Sequence, residues 1–377
     1  MDTDHGLAAQ DHATRVRLTR GLRYSVGVWR AWLIVVAICA AVGGCINSPP
    51  AEVGVWSEFL PYGEVQAELA TLVAYDADLY VAVTPDTLGD ALWELCNAAR
   101  AAGVDVRLWL QLPAQGVWLN EENIGDFVRF TGTVLDAAVT AGVPVEWLIF
   151  DLEPALAYAE TLRDTIARDP AALLSLLGEH RDPAAFVAAQ GELRALVDTL
   201  HDRDVQVMAV TLPWIVDDLL DGDVDIQDIF DTPLAGLPWD QVCVMVYRPT
   251  FAEMLGVELC PGFVGSYAAT VREIYGPGAQ VAIGNVGQPG LLVAPGYAEP
   301  AQLAADVAAA RSAGVTSISV YALDGMVAVG DVAAWLVAVA GETPRVVDTD
   351  PLTGVLRQVI GWLDRAADGW DGTVGTP

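Results

Sequence analysis

Two carboxylates close the run Val145-Glu146-Trp147-Leu148-Ile149-Phe150-Asp151-Leu152-Glu153-Pro154. An apolar run of this length ending at a proline has the composition of a buried strand. Side chains alternate along a strand, so Trp147, Ile149, Asp151 and Glu153 share one face and Leu148, Phe150 and Leu152 the other. Ionisable groups at the end of a buried strand cost on the order of several kcal/mol unless they are hydrated, paired or hydrogen-bonded. That cost marks the pair as a candidate site. Mutual repulsion and partial burial should raise one of the two pKa values towards the range of a general acid. Cleavage of a glycosidic bond needs such a proton donor, with a second carboxylate to stabilise the oxocarbenium-like centre. The structural alternative is a pair of rim carboxylates that cap a helix or meet an arginine such as Arg107.

Composition narrows the chemistry further. The 377 residues are 53% hydrophobic and 18% charged with a formal net charge of −31, enough to bury a large core beneath an acidic surface. Such a surface repels phosphates and anionic lipid headgroups, so no nucleic-acid partner is expected. All 19 basic residues are arginine. Without lysine there is no Schiff-base chemistry, no pyridoxal phosphate attachment and no P-loop, since each needs an amine on a flexible stem. The four histidines are scattered and no Cys/His spacing fits zinc, so neither a metal site nor a Ser-His-Asp triad is indicated, and no cofactor is expected. Asp221 to Asp228 has acids at spacings reminiscent of a calcium loop. Ile226 and Thr232 stand where that loop needs glycine and glutamate, which leaves a solvated acidic loop as the expectation.

Arg15, Arg17, Arg20, Arg23 and Arg30 precede an uncharged run from Ala31 to Gly44, too short for the ~20 apolar residues of a spanning helix. Residues 1–44 therefore read as a signal peptide. Val42-Gly43-Gly44-Cys45 resembles the bacterial lipobox, which implies lipidation of Cys45, residues 45–52 as a tether and an extracytoplasmic chain anchored to the cell membrane. Cys96, Cys243 and Cys260 remain; three thiols cannot all pair internally, and Cys243, within a strand, reads as a small core residue.

The rest of the chain must position the pair. Apolar β-type runs at Val53–Trp56, Leu79–Val83, Val104–Leu112, Val145–Pro154, Val205–Leu212, Gln241–Tyr247, Gln280–Asn285 and Ser317–Ala322 alternate with helical stretches. Those at Leu88–Ala102 and Ile124–Ala141 stop at Gly103 and Gly142, as helix C-caps do. Eight such repeats predict an α/β chain of the (β/α)8 TIM-barrel class over residues 53–340, with a C-terminal helix and tail at 341–377. An open doubly wound sheet is disfavoured, because Val55-Trp56-Ser57-Glu58 occupies the place of a glycine fingerprint. Long connections after strands 4 and 5 predict helical insertions there, broken at Asp169-Pro170 and Asp182-Pro183, that wall a cleft beside Asp151 and Glu153. Trp56, Trp118, Trp214, Tyr247 and Tyr321 end or follow strands and could stack on sugar rings; Glu58 and Asn285 are further candidates on the rim.

Asp151-Leu152-Glu153 and Met245-Val246-Tyr247 together resemble glycoside hydrolase family 18, the chitinase-like barrels. Their fourth strand carries D-G-x-D-x-D-x-E and their sixth M-x-Y. The resemblance implies Glu153 as acid/base, Asp151 as the residue that orients a substrate N-acetyl group, and Tyr247 as a donor to that group's oxygen. Five positions depart from the family: Glu146-Trp147 replaces D-G, Ile149 the middle Asp, Tyr321 a tryptophan near the end of strand 8, and Arg248 an Asp or Asn. The expectation is thus a glycosidase-like barrel acting on a polysaccharide, one that contains N-acetylhexosamine if the family resemblance extends to the substrate. Two alternatives stand beside it: a carbohydrate-binding protein that kept the cleft without the chemistry, and a platform whose insertions bind another envelope protein.

Overall fold

The computed structural model describes residues 52–169, 172–220, 222–287 and 295–371, all within one compact unit, Pro50–Pro377. The segment 1–44, Cys45 and the tether up to residue 51 lie outside the described residues.

Eight parallel strands close into a barrel in sequence order: β1 Glu52–Ser57, β2 Ala77–Val83, β3 Val106–Leu110, β4 Trp147–Leu152, β5 Gln206–Thr211, β6 Gln241–Met245, β7 Ala279–Gly284 and β8 Ser317–Tyr321. The fold is the (β/α)8 barrel expected from the alternation of runs. β1 pairs with β8 through Val53 opposite Ile318, and β4 with β5 through Ile149 opposite Met208. The two sides of each strand belong to different cores. Outward side chains such as Leu148, Phe150 and Val207 pack beneath the helices, whereas Trp56, Tyr80, Trp109, Ile149, Met208, Val210, Cys243 and Met245 fill the barrel. This period-2 division buries both faces of the strands, so most of the runs are apolar throughout; β8 alternates instead, with Ser317 and Ser319 turned inward between Ile318 and Val320.

The interior is layered. Residues at strand starts form a polar layer: Arg107 Nη2 lies 3.4 Å from Asp78, Gln241 Nε2 donates to Ser317 Oγ at 3.1 Å, and Gln280 Nε2 donates to Tyr80 OH at 2.9 Å. The Arg107 guanidinium also lies 4.2 Å from the ring centre of Trp147. Above it comes an aromatic and aliphatic layer in which Trp56 meets Tyr80 and Trp109 edge to face, at 4.9 and 5.1 Å. The carboxylates stand above that layer, at the ends of the strands.

Helices Asp90–Ala102 and Ile124–Ala141 end at Gly103 (φ 84°) and Gly142 (φ 68°), the left-handed caps expected of those glycines. The β4 connection contains helices Leu156–Arg168 and Leu173–His180 before Pro183–His201, whose first turn Asp182 caps by accepting from the N–H groups of Ala184 and Ala185. The β5 connection contains Pro213–Asp218 and Asp225–Ile229. Both insertions thus exist where the long connections placed them. They are tied to each other by Arg181 on Asp225 (2.6 Å) and by Tyr158 OH on the Ile229 carbonyl (3.0 Å). Short helices at Tyr62–Ala67, Leu69–Ala74, Arg248–Leu255 and Leu323–Val329 carry too few turns to show a period in sequence. The C-terminal helix Pro351–Asp371 packs on the same unit, with Arg357 donating to Thr270 Oγ1 at 2.6 Å and lying 3.0 Å from Asp217. Among the described residues no helix is long and apolar enough to cross a membrane.

Candidate active site

The candidate residues converge because their strands end at one face. Asp151 is the penultimate residue of β4 and Glu153 follows its last; Glu58 follows β1, Gln111 follows β3, Tyr247 lies two residues past β6, and Tyr321 ends β8. In a barrel these ends share one mouth, where sites are built. Asp151 is 2% exposed, while Glu153, Glu58 and Tyr247 are half-buried.

Glu58 is the most firmly held of the acids. Its carboxylate accepts from Gln111 Nε2 at 2.9 Å and from the Tyr321 hydroxyl. Asp324 fixes its backbone: the carboxylate accepts from the N–H groups of Glu58 (3.1 Å), Phe59 (2.6 Å) and Leu60 (3.0 Å). Tyr321 in turn stacks on Tyr247 with ring centres 5.6 Å apart and planes 16° apart. A continuous chain of contacts therefore runs from the β1 loop through Glu58 and Tyr321 to Tyr247.

The electrostatics follow from burial and like charge. Burial pushes the Glu58 carboxyl up to about 7; the hydrogen bonds from Tyr321 and Gln111 resist this, and the charge of Asp324 adds to it. Asp151 is raised by burial and then by Glu58. The Trp109 indole offsets part of that rise while its N–H stays outside ordinary hydrogen-bond geometry with the carboxylate. Glu153 is raised well above the usual carboxylate range by burial, then by Asp151 and Glu58. Burial and the neighbouring acids lift Tyr247 too, so it stays a neutral donor. Three acids that interact this closely lose their protons as a set. At neutral pH the set therefore retains protons that free carboxyls would have lost, which leaves it a proton to give.

Arg107 is no partner of these acids: it sits at the strand starts, on the far side of the aromatic layer, with Asp78 and Gln241. Arg248 also turns away. The β6 strand stops at Met245 and a helix starts at Arg248, so its side chain leaves the barrel face to meet Asp306 at 2.7 Å and the Leu259 carbonyl at 3.0 Å. Ile149 is fully buried in the aromatic layer directly beneath Asp151.

Several sugar-stacking candidates lie elsewhere. Trp56 is a floor residue, 2% exposed, with its indole N–H donating to Ser319 Oγ at 2.8 Å, and so presents no open ring face. Trp118 is buried beneath the β3 loop. Trp214 packs between Phe230 and Phe251, with ring centres 5.7 Å from each. Asn285 is 5% exposed at the end of β7, its carbonyl accepting from the Tyr297 N–H at 2.7 Å. Of the aromatic candidates, Tyr247 and Tyr321 stand with the carboxylates. Gln111, Trp109 and Asp324 join the site without having been read from the sequence. Gln111 and Trp109 could have been found as residues two apart on the inner face of β3; Asp324 carries no local signal. Cys96, Cys243 and Cys260 are free thiols, and Cys243 lies inside the barrel. In the acidic loop, Asp225 and Asp228 face Arg181. Asp218, Asp223 and Asp364 form the group of acids close enough to share an ion among the described residues.

No family model matches the chain, and no curated protein does. Solved structures do. The PgaB (BpsB) glycoside hydrolase domain from Bordetella bronchiseptica matches at 14% identity and a TM-score of 0.46, over 83% of this chain and 99% of that one. The spore cortex-lytic enzyme SleL of Bacillus megaterium matches at 14% identity and 0.48, over 80% and 76%. A GH18 chitinase from Pseudoalteromonas aurantia matches at 11% and 0.45, over 77% and 99%. The chain is similar to glycoside hydrolase barrels. D-psicose 3-epimerase matches as well, at 10% and 0.41, over 77% and 96%, so at this distance each activity stays with the protein that bears it.

Proposed function

We propose that the chain is an exported glycoside hydrolase acting on a polysaccharide that contains N-acetylhexosamine, with Glu153 as general acid/base. The observation that carries this reading is the half-buried Glu153 carboxyl at the mouth, held protonated by burial and by Asp151 and Glu58. A protonated carboxylic acid beside an ionised one is what departure of a glycosidic oxygen requires. In this reading Glu153 gives its proton to the leaving oxygen as the C–O bond breaks. The substrate's own N-acetyl oxygen closes on the anomeric carbon, Asp151 orients and stabilises that amide, and the neutral Tyr247 hydroxyl donates to its oxygen. Water then opens the ring intermediate, losing a proton to the Glu153 carboxylate. Tyr247 and Tyr321 provide the aromatic wall. Cys45 would carry the lipid that holds the enzyme outside the membrane.

The test is hydrolysis of β-linked N-acetylglucosamine oligomers and peptidoglycan fragments by the wild type and by Glu153→Gln. Turnover that falls at least about 10³-fold in the variant, with binding retained, supports the reading; turnover that survives the substitution sinks it. Ile149, an apolar residue beneath Asp151, favours a second reading: a carbohydrate-binding protein without turnover. Equal binding by both forms with no hydrolysis by either would establish that one.

A further inference from the structure

The insertions after β4 and β5 meet the β3 loop at Asp231, a residue to which the proposed reaction gives no part. Asp231 is buried and holds a left-handed backbone (φ 53°), which aspartate and asparagine tolerate better than most side chains do. Segments distant in sequence close on it. From the β3 loop, the Glu121 N–H donates to the Asp231 carbonyl at 2.9 Å. From the β4 insertion, His180 Nδ1 lies 3.4 Å from the Asp231 carboxylate, and the His180 ring lies flat on Tyr158, with centres 3.4 Å and planes 9° apart. The Tyr158 hydroxyl in turn donates to the Ile229 carbonyl at 3.0 Å, and the Asp182 N–H to the Asp228 carboxylate at 3.0 Å.

This junction reaches the mouth through the backbone. The Leu119 N–H, two residues before Glu121, donates to the Asp151 carbonyl at 2.8 Å, and the Leu156 N–H, where the β4 insertion begins, donates to the Gly116 carbonyl at 3.2 Å. A displacement at Asp231 is therefore felt by the segments that flank Asp151 and Glu153.

Charge at the junction is one-sided. Asp231 faces Glu121 and Glu122 of the β3 loop, His180 and Tyr158 of the β4 insertion, and Asp228 of its own segment. Glu179 stands by His180, while Asp182, Arg181 and Asp225 surround Asp228. Arg181 meets Asp225 at 2.6 Å and Asp228 only at 4.0 Å. Behind the helix Asp225–Ile229, Asp218 takes the N–H groups of Ile226 and Gln227, with Asp364 beside it. Glu121 Oε2 is covered and meets no donor among the described residues. Carboxyls so enclosed keep their protons, because ionising both Glu121 and Asp231 sets like charges against each other largely away from water.

We propose that Asp231 is the keystone of a pH-sensitive latch: with Asp231 and Glu121 protonated, the β3 loop and the two insertions are held together, and ionisation of the two carboxyls releases them. The latch does not depend on which reaction the mouth performs. Burial pushes Asp231 up to about 8, with Glu121, Glu122 and Asp228 adding to the rise, and Glu121 up to about 7, with Asp228, Asp182 and Glu122 adding. Both values exceed those of the freed groups, so the closed state binds the extra protons. The acids' contribution to closure is complete below about pH 4 and is lost as pH rises through about 7 and then 8. His180 acts in the opposite sense: burial lowers its pKa, so its protonation favours opening only towards acid.

Amide hydrogen exchange of the full chain, expressed as protection relative to an unstructured chain, tests the latch between about pH 6.5 and about pH 9. Protection in residues 117–123 and in the helices Leu156–Arg168 and Asp225–Ile229 should fall at least about tenfold over that range, while that of the barrel strands holds within about twofold. Asp231→Asn removes the charge and suits the left-handed backbone; it should keep the junction closed and cut the fall to about fourfold or less. Glu121→Gln should reduce the fall by a smaller factor. Protection that does not change with pH, a fall shared by the barrel strands, or a fall as large in Asp231→Asn as in the wild type overturns the latch. Should Asp231→Asn not fold, the wild-type series and Glu121→Gln decide: a fall undiminished in Glu121→Gln then overturns it.

Discussion

Asp324 supports the candidate site at a distance, and its removal gives the sharpest test of how the mouth is held. Its carboxylate takes three consecutive backbone N–H groups, from Glu58, Phe59 and Leu60, at 3.1, 2.6 and 3.0 Å. It is 9% exposed, so water replaces it poorly. Hydrogen bonds to a charged acceptor contribute about 1.5–3 kcal/mol each. Three would sum to roughly 5–9 kcal/mol were the loop unable to respond. Phe59 is 51% exposed, however, and the freed loop can turn its N–H groups to solvent, so Asp324→Ala should cost about 3–5 kcal/mol. Asp324→Asn keeps one acceptor oxygen but sets an amide N–H₂ against a backbone donor, and should cost about 2 kcal/mol. Urea unfolding at neutral pH measures both, with the slope checked for an unchanged unfolding reaction. A cost below about 1 kcal/mol for Asp324→Ala, or Asn and Ala variants of equal stability, would refute the view that this carboxylate pins the β1 loop.

Three further outcomes follow from the same geometry. Glu58, Glu121, Asp228 and Asp231 have folded pKa values of about 7, 7, 6 and 8, above those of an unfolded chain, so the folded state binds the extra protons. Their cost to stability is absent below about pH 4 and grows as pH rises to about 8, so the urea midpoint should fall between pH 5 and pH 8; a midpoint that rises contradicts the burial described. Ile149→Asp, which introduces the middle carboxylate of the chitinase-like motif, places a charge in a layer filled by Trp109, Met208 and their neighbours and should destabilise by more than about 3 kcal/mol without raising turnover; denaturant unfolding reads the cost. Arg107→Met strands Asp78 and Gln241 at the barrel base and should cost about 3 kcal/mol, yet leave the pH profile of sugar binding unchanged, since no shift at the mouth traces to Arg107. A displaced profile would show that the two ends communicate.

The barrel itself was legible because two local signals agreed along the chain: apolar runs of strand length, and glycines such as Gly103 and Gly142 where helices stop. Asp151 and Glu153 could be singled out as candidates because one lies on β4 and the other directly follows it, where alternation alone gives their direction. What joins them was not. Glu58 sits 93 residues before Asp151 in sequence, and only closure of β1 on β8 brings it beneath the Tyr321 hydroxyl. Trp56 shows the limit of the aromatic signal: a tryptophan near a strand end can stand at the rim or one layer down, and two residues of register decide which. Arg248 shows another, since its distance from the acids depends on β6 having ended three residues earlier.

The layer of Trp56, Tyr80, Trp109, Ile149 and Met208 divides the barrel as an insulator divides two terminals. Below it, Arg107 is sealed among its own acceptors; above it, three acids hold their protons more tightly than free carboxyls do. Evolution could therefore retune the mouth by single substitutions on β1, β4 or β6 without renegotiating the foot, and could harden the foot without disturbing what the mouth selects.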